Sequence, residues 1–227
     1  MNLLREKFQA SPIYARFAPF LIFVGLMAFN GVLGKDGQYW MYAVRTGVGL
    51  WLILEMRPFV PEMRWAISLE AIAVGIAMCV MWIALNPYVP QNHVFFTPTP
   101  GDEWNPFARF GEGSGLAWFF AAVRILGSSL VVPPLEEVFW RSFLYRYSIR
   151  TDFQSVPLNR FHPTAFIVIS LLFGLEHYQF VQGFLFGMAM QWLVIKKNRL
   201  GDAIVAHAIT NFLLGLWVVG RHDWQFW

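Results

Sequence analysis

The feature that most constrains this chain is its succession of long apolar stretches. A membrane-crossing helix needs about 20 mostly apolar residues. Candidate spans are Phe17–Leu33, Tyr39–Met56, Trp65–Leu85, Leu116–Val132, Thr164–Glu176, Phe180–Ile195 and Ala203–Val219, with a further apolar helix over Leu135–Ile149. Hydrophobic residues make up 57% of the chain and charged ones only 14%, too few to clothe a soluble domain of this size. The abundant Phe and Trp suit lipid-facing and interfacial positions. The expected fold is therefore all-α, a polytopic transmembrane bundle of seven or eight helices forming a single domain over residues 1–227.

The one long connection, residues 86–113, holds NPYVP, TPTPGDEWNP and GEGSG. Proline and glycine at that density argue against regular structure, so it is read as an extramembrane loop, with acidic Asp102, Glu103 and Glu112 against Arg109. Basic residues cluster at Arg5/Lys7/Arg16, Arg57/Arg64, Arg146/Arg150/Arg160 and Lys196/Lys197/Arg199. All four fall on one side if Leu135–Ile149, set off by the Pro133-Pro134 break, seats within the bundle without a separate crossing. That side, with the N-terminus, would be cytoplasmic. No short apolar segment with a small-residue cleavage site follows the polar N-terminus, so the first helix is expected to be retained. The single Cys79 allows no intrachain disulfide and no CxxC motif. GFLFG at Gly183–Gly187 reads as close helix packing. The net charge of +3 gives no reason to expect nucleic acid.

Ionisable groups at membrane depth are costly and by default mark function. In PPLEEVFWRSFLYR, Glu137 and Arg141 are spaced to pair on one helix face, which leaves Glu136 without an intrahelical partner. Both glutamates could equally serve as a surface cap and ion-pair anchor. His177 ends SLLFGLEHYQF beside Glu176, which suits a solvated interface; a lone histidine there is often structural. His207 and Asn211 share one face of AIVAHAITNFLL and need partners inside the bundle, either as an interhelical clamp or as functional donors. Together they form a set sufficient for hydrolysis: Glu136 as base towards water, His177 holding that water, and His207 with Asn211 donating to an oxyanion. Arg45, Glu70 and Arg124 are further intramembrane charges, expected to pair among themselves or reach the interface.

Other chemistries lack their motifs. There is no HExxH, Phe173 stands where HxxEH requires histidine, and neither GxGD nor a P-loop occurs.

EEVFWR at Glu136–Arg141, FGLEH at Phe173–His177 and HAITN at His207–Asn211 match EExxxR, FxxxH and HxxxN, in that order. The chain thus resembles the CPBP family of CAAX-protease and bacteriocin-processing (Abi-like) membrane proteins, over roughly residues 114–219, with a looser likeness to the exosortase-associated subgroup. The resemblance implies an intramembrane glutamate endopeptidase. Glu136 and His177 would activate water and His207 and Asn211 would form the oxyanion site, with Glu137, Arg141 and Phe173 in support. It implies no cofactor; an older metalloprotease view would make Glu136, His177 and His207 zinc ligands. Ser142 departs from the glycine many relatives carry there. The implied partners are the lipid bilayer and a membrane-anchored or lipid-modified substrate, and the implied location is the bacterial inner membrane. The alternative is a non-catalytic scaffold, immunity or sorting partner that keeps the fold, its polar groups acting as clamps. A transporter would be expected to show an inverted repeat, which is not found.

Overall fold

The computed structural model describes residues 3–30, 34–94 and 103–227. Residues 31–33, at the end of the first expected span, and 95–102, with Asp102 of the expected acidic loop, lie outside the described residues. Among the described residues there is no strand, and about nine helices build the fold. They are α1 (Leu3–Ala10), α2 (Pro12–Gly25), α3 (Gly37–Met56), α4 (Leu69–Leu85), α5 (Pro106–Phe110), α6 (Gly115–Ile149), α7 (Pro163–Leu175), α8 (Phe180–Lys197) and α9 (Gly201–Arg221). Their starts follow local chemistry. Ser11 and Ser68 accept backbone N–H groups at the N-termini of α2 and α4, and Pro12 and Pro163 occupy first-turn positions where no donor is needed.

Fewer spans meet the membrane requirement than the apolar runs predict. Four described helical stretches are long and apolar enough to cross: Pro12–Phe29, Leu69–Tyr88, Gly115–Ile149 and Gly201–Arg221. α7 is too short at 13 residues. α3 carries Arg45 and Glu55, and α8 carries the buried Gln182 and Gln191, so both are more polar. These three helices bring polar groups into the bundle.

The proline pair also departs from expectation. Pro133 and Pro134 do not break the chain; Gly115–Ile149 is one helical stretch of 35 residues. Proline lacks a donor and crowds the preceding turn. The helix absorbs this by widening into π turns over Gly127–Val131 and again over Val138–Leu144. At 1.5 Å per residue it is roughly 50 Å long, enough for one crossing with overhang.

With a single crossing there, the basic clusters gather at one end of the bundle, tied together by ion pairs. Arg5 pairs with Glu55, Arg16 and Arg146 with Glu62, and Lys197 with Glu70. Ser142 sits inside this knot, donating to Glu62 and accepting from Arg16 and Arg146. The serine hydroxyl thus has work that a glycine there could not do. At the opposite end the expected irregular loop is partly ordered. Asn105 caps α5 by accepting from the N–H groups of Phe107 and Ala108, and Trp104 and Phe107 are buried against the bundle.

The GxxxG reading holds. A Cβ on Gly183 would stand 3.0 Å from Gly174 Cα, and one on Gly187 would stand 3.1 Å from Ser170 Cα. This close approach of α8 to α7 fixes where the turn after α7 projects.

Candidate active site

All four residues expected to act together line one cavity of about 300 Å³. Glu136 comes from α6, His177 from the turn between α7 and α8, and His207 and Asn211 from α9. Phe173, Trp82 and Phe186 supply apolar wall.

The two adjacent glutamates part company. Glu137 is fully buried, with Oε2 3.2 Å from Arg141 Nε, the pair that the i,i+4 spacing predicts. Its Oε1 lies 2.8 Å from His207 Nδ1. An ionised carboxylate only accepts, so this nitrogen carries a proton and Nε2 is the free ring atom. Glu136 faces the cavity instead, and its Oε2 is buried without a hydrogen-bond partner.

His177 is fixed in the same manner. Its Nδ1 lies 2.8 Å from the carbonyl oxygen of Phe173, which can only accept. The proton is therefore on Nδ1, and Nε2 keeps a lone pair. The turn itself is held from outside: the Asn92 side chain donates to the Leu175 carbonyl at 3.0 Å, and the Asn92 N–H donates to the Tyr178 carbonyl at 2.7 Å. Phe173 serves twice, since its ring also lies 4.3 Å beneath the Arg141 guanidinium.

Asn211 donates from Nδ2 to the Ser128 carbonyl at 2.8 Å. The π turn explains why that carbonyl is open. The Val132 N–H donates to Gly127, and Pro133 has no N–H to offer. The proline pair therefore helps to seat Asn211, leaving its second N–H and its oxygen for other partners.

Glu176 is not simply solvated at an interface; one donor atom each from Glu136, Glu176 and His177 lie within 4.8 Å of one another. His207 is not in this group, its Nδ1 being held by Glu137. The zinc set drawn from the motifs, Glu136 with His177 and His207, thus differs from the set whose donors converge. Two carboxylates and an imidazole fit a divalent ion. The adjacency of Glu176 to the FxxxH histidine was the only signal in the sequence that could have found it.

A glutamate with a donor atom within 4.8 Å of an imidazole nitrogen, in a cavity also lined by a second imidazole and a carboxamide, supplies the groups that activating a water would need.

Residues 117–213 match the family model described as type II CAAX prenyl endopeptidase Rce1-like.

All three motifs lie inside that stretch, which is similar to the CAAX proteases. No curated protein and no solved structure matches the chain. The Rce1-like region runs from the first turns of α6 into α9, so it contains every residue of the four-member set and its supports. The Rce1-like match and the long apolar helices together support an integral membrane protein.

Proposed function

We propose that this protein is an intramembrane endopeptidase that hydrolyses a peptide bond of a membrane-anchored or lipid-modified, CAAX-like protein or peptide. The observation that carries the reading is the convergence of Glu136, His177, His207 and Asn211 on one cavity, with Glu136 Oε2 lacking any hydrogen-bond partner.

In this reading a water sits between Glu136 and His177. One water proton passes to Glu136 as the oxygen attacks the scissile carbonyl, while His177 Nε2 accepts a hydrogen bond from the other water O–H and so fixes the attack direction. The carbonyl oxygen becomes an oxyanion facing Asn211 and His207. Asn211 donates its free N–H. His207 donates from Nε2 as an imidazolium, whose charge is matched by the Glu137 carboxylate at Nδ1. Glu136 then returns its proton to the leaving amine, which restores the resting state. Arg141 keeps Glu137 in place, and Phe173 keeps both Arg141 and His177 in place. Glu136, Glu176 and His177 would hold a divalent ion if one bound, and such an ion would polarise the water; the steps above do not require it. The basic end is assigned to the cytoplasm of a bacterial inner membrane, with the N-terminus on that side.

The test is mass spectrometry of membrane peptides from cells carrying the wild type or Glu136→Gln. A truncated product present with wild type and missing with the variant is expected. Identical peptide sets from both, with the wild type shown to be inserted, would leave the scaffold alternative in its place.

A further inference from the structure

Two cations inside the bundle have no part in that hydrolytic sequence. Arg45 on α3 and Arg124 on α6 both line the cavity that holds Glu136 and His177. The sequence led us to expect Arg45, Glu70 and Arg124 to pair with one another or to reach the interface. Glu70 pairs with Lys197 instead, 3.2 Å away. Among the described residues no carboxylate lies within 4 Å of either arginine. Arg45 Nε is buried without a hydrogen-bond partner.

Aromatic rings stand in for counterions. The Arg124 guanidinium lies 4.5 Å from the Trp104 ring, 5.0 Å from Tyr42 and 5.4 Å from Trp227. Arg45 lies 4.8 Å from the same Tyr42 ring and 4.9 Å from Phe23. Rings attract a guanidinium through its flat face and leave the N–H edge able to donate to an anion. Two guanidiniums sharing one tyrosine, half-buried and facing a cavity, are an arrangement that an incoming anion would complete.

We propose that Arg45 and Arg124 form an anion subsite that takes the C-terminal carboxylate of the peptide being cut. This rests on the endopeptidase reading of the same cavity, and it adds a specificity rule. The carboxylate docks at the arginines while a bond a few residues upstream lies over Glu136. A guanidinium fork matches a carboxylate in shape and donor count. A lipid phosphate offers similar chemistry, but the arginines line the cavity shared with Glu136 and Asn211, where a peptide end must come.

The experiment uses the full chain in phosphatidylcholine nanodiscs and two synthetic S-farnesyl peptides ending in Cys-Val-Ile-Ser, one a free acid and one a C-terminal amide. Wild type should cleave the acid with at least about tenfold higher kcat/KM than the amide. Arg45→Gln/Arg124→Gln should bring the acid down to the level of the amide, and Arg45→Lys/Arg124→Lys should keep part of the preference. Equal cleavage of acid and amide by wild type overturns the subsite and leaves the peptidase reading standing. Equal loss on both peptides in the glutamine variant makes the arginines structural and also overturns it. Binding of both peptides to Glu136→Gln, read by tryptophan fluorescence, covers the case in which neither is cut. An acid preference there that the two glutamines abolish keeps the subsite and sinks the peptidase reading, whereas equal binding sinks the subsite. If phosphatidylglycerol binding, and not acid-peptide binding, depends on the two arginines, the anion is a lipid phosphate and the peptide assignment falls.

Discussion

His207 Nδ1 and Glu137 Oε1 stand 2.8 Å apart, although 70 positions separate them in the chain. This contact divides the glutamate pair into two jobs. Glu137, gripped by Arg141 on one oxygen and His207 on the other, is an orienting group. Its neighbour, turned about 100° round the helix, reaches the cavity. The two should therefore respond differently to the same substitution.

Glu136→Gln should lower kcat by about 100- to 10,000-fold, the usual worth of a general base. Its melting temperature in detergent should not fall, because Oε2 has no hydrogen bond to lose. Glu137→Gln should reduce activity and stability together. Arg141 is only 1% exposed and would lose its anion, at a cost of roughly 3 to 5 kcal/mol. Thermal melting beside steady-state kinetics on both variants checks this. A stable Glu137→Gln protein, or an unstable Glu136→Gln one, contradicts the division of labour.

Asn211→Ala should cost about 100- to 1,000-fold in kcat, as for the loss of one oxyanion donor. It also strands the Ser128 carbonyl, adding about 1 to 3 kcal/mol of destabilisation. Kinetics and melting on one preparation separate the two effects. A variant that melts lower yet cleaves at the wild-type rate would make Asn211 a clamp.

Gly183→Ala tests the packing that carries His177. The new methyl would stand 3.0 Å from Gly174 Cα and 3.3 Å from His177 Nδ1. Forcing α7 from α8 by a few tenths of an ångström should lower cleavage by roughly tenfold, since reacting groups tolerate little displacement. Overpacking should cost about 1 to 3 kcal/mol. An unchanged rate would show that the turn after α7 adjusts freely.

The metal-free steps make a prediction about chelators. Dialysis against EDTA should leave cleavage unchanged. Loss of activity restored by zinc would reassign Glu136, Glu176 and His177 as ligands, since their donors already lie together.

Some of this was legible in the sequence, and the reason lies in the range of each interaction. The Glu137–Arg141 pair follows from helix periodicity alone, as does the shared face of His207 and Asn211. The Gly183–Gly187 packing also follows from spacing. The Glu137–His207 contact does not, because nothing local links α6 to α9; the sequence grouped Glu136, His177, His207 and Asn211 by their chemistry and by the likeness to CAAX proteases, and neither argument places Glu137 against His207. The proline pair misled for a physical reason. Proline forbids an ordinary helical turn but tolerates a π turn, and the sequence does not say which remedy a helix adopts. That choice opened the Ser128 carbonyl to Asn211. Four described helical stretches are long and apolar enough to cross where the apolar runs suggest seven, since α3 and α8 carry polar residues, among them Glu55, Gln182 and Gln191, that the bundle buries.

The knot at the basic end makes a prediction about acid. Glu62 accepts from Arg16 Nε at 2.9 Å and Nη2 at 3.0 Å, and pairs with Arg146 at 3.2 Å. Burial pushes the Glu62 carboxyl up, but Arg16 and the Ser142 hydroxyl pull it further down, so it sits below the usual carboxylate range. In the unfolded chain the same group titrates near the ordinary value of about 4.3. Between that value and the lower folded one, the unfolded state binds more protons. The contribution of Glu62 is therefore complete above the ordinary value and is lost as pH falls through the folded one. Melting temperature measured from pH 7 downwards should fall on this limb for the wild type. Glu62→Gln should flatten the limb and start lower at neutral pH, by roughly 3 kcal/mol or more, because Arg16 is 2% exposed and would lose its only carboxylate among the described residues. A variant whose acid limb matches the wild type would show that the other carboxylates, and not this knot, set the acid stability of the bundle.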